Sequence, residues 1–358
     1  MPTLNICLIV MYFNPRKINI FEWIVENSKK CKYNLSRNNM PDYIARRSGI
    51  DFSFESYEKN RASAENLFVE AVSKLYGVPQ DCIIPTISGS EAIYVALLYM
   101  RRLSRKLTIF RPEYEPIFSV AESLGFAVVY KDLQSIDLED VQEPFACSLP
   151  NNPIGTSHPV MLEGAAQDEG LLPLRYFDET FSEFRSVKGK TVFHEGRSII
   201  TSSTMVKYYG LSDLKVGWIL ADSSEKEYFT NIMNAVTPSI PPYSLWISYQ
   251  ALQEKSYFDK EVAEMVKTNT EIVDKFVEST PGLEWEKPDG TPFGFVHLKT
   301  RNSKDLCQDI LDRTGVLLGP GKYFGDDAGF RLCFTLPPES LNEGLKLLGD
   351  YFKDHRID

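Results

Sequence analysis

The sequence predicts an α/β protein: a large domain with a mostly parallel sheet flanked by helices, joined to a smaller α+β domain. Three observations predict it. Between about Ser63 and Ala221, short apolar runs alternate with segments of helical apolar spacing, and that alternation implies parallel strands, crossover helices and a sheet covered on both faces. After Pro242 the pattern changes to long amphipathic stretches followed by short strands and helices. The length, 358 residues, is too great for one small core and at roughly 150 residues per domain suggests two or three.

Taken in order, Ile18 to Lys29 has helical spacing and is expected to pack on the smaller domain, and a second helix runs from Ala64 to Gly77. An apolar run ending near Thr86 precedes a helix from Glu91 to Arg102. Leu107 to Phe110, Ala127 to Tyr130, Ala146 to Leu149, Leu174 to Phe177, Ser198 to Ser202 and Val216 to Ala221 read as buried strands, with a helix at Ile117 to Leu124. Beyond Pro242, helices are expected at Ser244 to Glu254, Asp259 to Glu278, Ser303 to Thr314 and Glu339 to Phe352, and strands at Gly294 to Leu298 and Phe330 to Thr335. The expected divisions are an N-terminal arm and helix over 1–40, a large domain over 41–245 and a small domain over 246–358.

The composition narrows the function. With 39 Lys+Arg against 49 Asp+Glu, the net charge of -10 argues against a general binder of nucleic acid or of an anionic membrane. Six cysteines lie far apart without a CxxC and four histidines show no ligand spacing, so neither structural zinc nor a disulfide framework is expected. The apolar run Leu4 to Phe13 is too short to span a bilayer and lacks the basic flank and cleavage site of a signal peptide. A cytoplasmic enzyme is expected, and Met11 offers an alternative start.

Open parallel sheets bind ligands at the carboxyl ends of their strands, and several polar residues fall there. Ser88-Gly89-Ser90 stands between an apolar run and a helix, where small residues and free amides hold a phosphate, although such a turn is more often only a cap. Asn152-Pro153-Ile154-Gly155 follows one strand and by itself reads as an ordinary turn. Asp178 closes the apolar run Leu174 to Phe177, so its carboxylate needs a partner. Lys207 lies past Ser198 to Ser202 within Thr204 to Leu211, and Lys215-Val216-Gly217-Trp218 follows. Alone, it is a solvated loop lysine.

Together these residues resemble the fold-type I pyridoxal-phosphate aminotransferases of class I and II, especially the histidinol-phosphate aminotransferase-like branch, from about Tyr33 to the C-terminus. The resemblance implies a large domain with a seven-stranded type of sheet and pyridoxal 5'-phosphate as cofactor. It assigns Lys207 as the lysine that carries the cofactor, Asp178 as the partner of the pyridine nitrogen, Asn152 as a donor to the phenolic oxygen, and Tyr114 of Pro112-Glu113-Tyr114 as the ring that stacks on it. Ser88, Gly89, Ser90, Thr204 and Lys215 fall at the phosphate. Gly319-Pro320-Gly321-Lys322-Tyr323-Phe324-Gly325 resembles the family's Pro-Gly-x-x-Phe-Gly loop, and Arg331 follows where the substrate carboxylate is read. Tyr57 matches a tyrosine that reaches the neighbouring subunit's phosphate, which implies a homodimer with shared sites.

The implied substrates are an L-amino acid and a 2-oxo acid, with no nucleic acid or membrane partner. Leu35-Ser36-Arg37-Asn38-Asn39 lies where the N-terminal segment crosses the substrate, which makes Arg37 a candidate for a second anionic group. Three residues depart from the pattern: Phe181 replaces a tyrosine, Lys215 an arginine, and Val206 a hydroxyl residue. Related decarboxylases acting on phosphorylated amino acids also carry Phe at that place, so a decarboxylase or lyase is the competing expectation.

Overall fold

The structure is a computed structural model that describes residues 14–137, 141–166, 173–185, 191–299 and 302–355; the run Leu4 to Phe13 lies outside them. Its centre is a seven-stranded sheet whose strands are β1 (Ile83–Ile87), β2 (Lys106–Arg111), β3 (Ala127–Asp132), β4 (Phe145–Ser148), β5 (Arg175–Asp178), β6 (Ile199–Thr204) and β7 (Val216–Leu220). The spatial order is β1-β7-β6-β5-β4-β2-β3. The pairs from β6 to β3 are parallel, while β7 runs antiparallel to both β6 and β1.

The central strands lack a polar–apolar alternation because both faces are covered. Alternate residues point to opposite sides, so Ala146, Tyr176 and Ile200, neighbours in the register, join a core with the helices Ser88–Leu103, Glu115–Ser123 and Lys226–Val236. Phe145, Cys147, Phe177 and Ile199 build a core on the other face. Every residue of β4, β5, β6 and β7 is buried. The helix Lys226–Val236 was not anticipated from the sequence.

After Pro242–Gln253, the 25-residue helix Lys255–Ser279 leads to a four-stranded antiparallel sheet of β8 (Glu284–Trp285), β9 (Phe293–His297), β10 (Gly319–Pro320) and β11 (Gly329–Cys333), in the order β10-β11-β9-β8. The helices Ser303–Thr314 and Pro338–Asp354 pack against it. The N-terminal chain reaches the same region: Tyr33–Asn34 pairs in parallel with Val316–Leu317, and Trp23 Nε1, on the helix Asn19–Asn27, donates to Leu318 O at 2.8 Å. No helix among the described residues is long and apolar enough to cross a membrane.

Candidate functional site

The carboxyl ends of β1, β2, β4, β5 and β6 meet at one edge of the sheet. Because β7 is reversed, its amino end reaches that edge too, which brings Lys215 there. The result is a pocket lined by Ser88, Gly89, Ser90, Tyr114, Asn152, Asp178, Thr204, Lys207 and Lys215, together with Phe21, Asn38, Asn39, Phe181 and Val206. Nine of the twelve residues expected at a site therefore share one cavity.

Ser88 has φ 61, and the helix begins at Ser88 rather than at the expected Glu91. Glu91 explains the difference: its carboxylate reaches back to accept from Ile87 N at 2.5 Å, which caps the helix and leaves Ser88 and Ser90 out of that task. The first amides of a 16-residue helix thus face the pocket end of β1 with no helical acceptor of their own. Lys215 also sits in the left-handed region, at φ 54. Thr204 Oγ1 donates to Val216 O at 2.7 Å and accepts from Val206 N at 3.2 Å, so its one proton braces the turn that carries Lys207.

Asp178 is buried, and Oδ1 accepts from Thr180 N at 3.1 Å and from Thr180 Oγ1 at 2.6 Å. Burial raises its pKa above the usual range, against those two hydrogen bonds. Lys207 Nζ donates to Asn38 Oδ1 at 2.9 Å and Asn39 Oδ1 at 2.7 Å. Burial, then the positive charges of Arg331 and Lys215, push the amine down to about 7, so a large neutral fraction exists near neutrality.

Asn152 stands in a turn closed by Gly155 N donating to Asn151 O at 2.8 Å. Gly155 has φ 90, and a Cβ there would lie 2.4 Å from Phe293 O, so only glycine lets this turn approach β9. Arg331, 2% exposed on β11, is not a lining residue of the pocket but joins it through Asn152: Nη1 donates to Asn152 Oδ1 at 2.8 Å and Nη2 to Ser36 O at 3.0 Å. The ring of Phe324 lies beneath the guanidinium, 4.7 Å away.

Two expected residues lie apart from the pocket. Arg37 is exposed, and its carbonyl accepts from Thr335 Oγ1. Tyr57, on the helix Phe54–Asn60, packs with Phe54 and Tyr243 at ring distances of 5.3 and 5.5 Å. Sequence reasoning missed the roles of Asn38 and Asn39, whose signal was a pair of adjacent amides in the segment expected to cross the site. It also missed Glu113, a carboxyl 0% exposed beside Tyr114.

Known proteins resemble this chain along most of its length. Capreomycidine synthase of Streptomyces vinaceus is 22% identical over 315 residues, which cover 81% of this chain and 79% of that protein. Histidinol-phosphate aminotransferase of Chlorobium chlorochromatii is 24% identical over 346 residues, 91% of this chain and 93% of that protein. The fold of a pyridoxal-phosphate-dependent aminotransferase from Streptococcus suis matches with a TM-score of 0.82 at 19% identity, covering 96% of this chain and 99% of that one. Residues 53–348 match the family model of aminotransferase class I and II. The chain belongs to that family, and is therefore an enzyme whose cofactor is pyridoxal 5'-phosphate.

Proposed function

We propose that the protein is an aminotransferase that moves an amino group between an L-amino acid and a 2-oxo acid. The observation that carries this reading is the convergence on one pocket of a lysine amine with a lowered pKa, a desolvated carboxyl group and the Asn152–Arg331 pair. The donor set suits the cofactor. The amides of Ser88, Gly89 and Ser90 and the charge of Lys215 suit its phosphate; Asp178 suits the protonated pyridine nitrogen, Asn152 the phenolic oxygen and Tyr114 the ring face.

When bound, pyridoxal phosphate supplies an electron sink for the substrate's α-carbon. Lys207, a neutral amine near pH 7 in a large fraction of molecules, would hold the cofactor and, once free, would move a proton to and from the substrate's Cα. Asp178 would hold a proton on the pyridine nitrogen, whose positive charge would offset the cost of keeping this buried carboxylate ionised. Arg331, its guanidinium 4.7 Å over the Phe324 ring, would pair with the α-carboxylate and so orient the Cα–H bond.

The same reading makes the enzyme a homodimer with shared sites. Phe54, 64% exposed with its ring 5.3 Å from that of the buried Tyr57, and Phe52, 38% exposed, supply apolar area for a second copy.

A lyase or decarboxylase on the same pocket is the second reading. One observation favours it: Phe181 lines the pocket edge-on to Phe293 at 4.7 Å and offers hydrocarbon rather than a hydroxyl. An amino-donor screen on purified protein separates the two. Transamination leaves the pyridoxamine form of the cofactor and needs a 2-oxo acid to continue, whereas release of carbon dioxide without a 2-oxo acid would replace the first reading with the second.

A further inference from the structure

Glu113 sits between β2 and the helix Glu115–Ser123 with no exposed surface. A buried carboxyl is a costly choice for filling space, and burial pushes this one up to about 8. Its surroundings are all donors: Oε2 accepts from Ser148 N at 2.9 Å, and Oε1 accepts from Tyr114 N at 2.7 Å and from the Ser148 hydroxyl. A hydroxyl has one proton. When Glu113 is ionised, the form these three donors favour, that proton is directed at it and Ser148 Oγ presents only lone pairs to Asn152 N, which donates to it at 2.8 Å. Asn152 Oδ1 in turn accepts from Arg331 Nη1 at 2.8 Å.

A second connection runs from the same residue. Glu113 N donates to Phe324 O at 2.9 Å, and the Phe324 ring carries the Arg331 guanidinium. The Glu113 side chain thus fastens the acceptor at one edge of that guanidinium, while its backbone amide ties down the segment that carries the ring, a bond that any residue with an N–H would make.

We propose that Glu113 is a positioning residue for the substrate's α-carboxylate, its side chain acting through Ser148 and Asn152 to set the guanidinium of Arg331. The proposal rests on the assignment of Arg331 to that carboxylate, and not on whether the reaction ends in transamination or decarboxylation. Glu113→Gln keeps the volume but turns an NH2 group toward donors that now meet an acceptor, so Ser148 loses its fixed orientation and Asn152 its anchor.

The test is a spectral titration of the cofactor-loaded enzyme with two amines. 2-Methylalanine carries the α-carboxylate but no Cα hydrogen to remove, and isopropylamine is the same skeleton without the carboxylate. In Glu113→Gln, binding of 2-methylalanine should weaken about tenfold, the scale of one misplaced charge-assisted hydrogen bond, with isopropylamine unchanged. Ser148→Ala, a smaller change, should show the same selective loss and decides the matter if Glu113→Gln does not fold. Equal weakening of both amines, or of neither, would overturn the positioning role. If the unaltered enzyme itself binds 2-methylalanine no better than isopropylamine, the assignment of Arg331 is wrong, and the proposal falls with it.

Discussion

The amine of Lys207 donates to the side-chain oxygens of both Asn38 and Asn39, residues that precede it by 169 and 168 positions. The N-terminal segment thus closes over the residue proposed to carry the cofactor.

Covalent capture of pyridoxal phosphate by the cofactor-free protein should follow the neutral amine. Lys207 is pushed down to about 7, so below that pH the protonated amine is unreactive, and the capture rate should rise as pH increases through about 7 and then level off. Stopped-flow absorbance across that range checks this. Borohydride should fix the cofactor to the peptide containing Lys207; labelling elsewhere removes the assignment.

The two asparagine oxygens accept from the ammonium form and so favour it. In the variant Asn38→Ala with Asn39→Ala, the midpoint of the same capture profile should move to lower pH. A midpoint displaced upward would mean that the amides do not stabilise the charged amine in solution.

Lys215 combines a charge at the pocket with a left-handed backbone, φ 54. Lys215→Gly should relieve the backbone and remove the charge, leaving unfolding midpoints equal or higher while the cofactor dissociates more readily. Lys215→Ala should lose the charge but keep the strained backbone, so its cofactor dissociates as readily while its unfolding midpoint stays near the parent's. Identical cofactor affinity in all three proteins would place the charge outside the binding site.

Gly155→Ala should destabilise the fold by about 1–3 kcal/mol for the strained backbone, and more for the clash, because its Cβ would lie 2.4 Å from Phe293 O. Denaturant unfolding measures it. A wild-type midpoint would show that the Asn152 turn does not pack on β9.

If each site borrows Tyr57 from a neighbour, mixing inactive Tyr57→Phe and Lys207→Ala proteins should restore activity through hybrid dimers once subunits exchange. A monomer active in sedimentation-coupled assays would exclude shared sites.

What was legible in the sequence was the sheet and the ends of its strands. β4 to β7 are buried on both faces, so none shows a polar–apolar alternation and their apolar and small residues stand side by side, and a polar residue closing such a stretch, as Asp178 does, needs a partner. The motif order around Asn152, Lys207 and Arg331 was equally readable, because it depends on residue types along the chain. Other features depended on pairings that no local pattern encodes. The reversal of β7, which delivers Lys215, leaves no mark on its own apolar run. Tyr33–Asn34 is two residues long, too short to show a period, yet its pairing with Val316–Leu317 helps carry Ser36, Asn38 and Asn39 into the site. Glu113 looks like any charged loop residue until packing excludes water from it. Sequence by itself determined which stretches must be buried and which chemistry they carry; tertiary structure alone decided strand direction, the N-terminal crossing and the Glu113 to Arg331 chain, because those rest on hydrogen bonds between residues up to 295 positions apart.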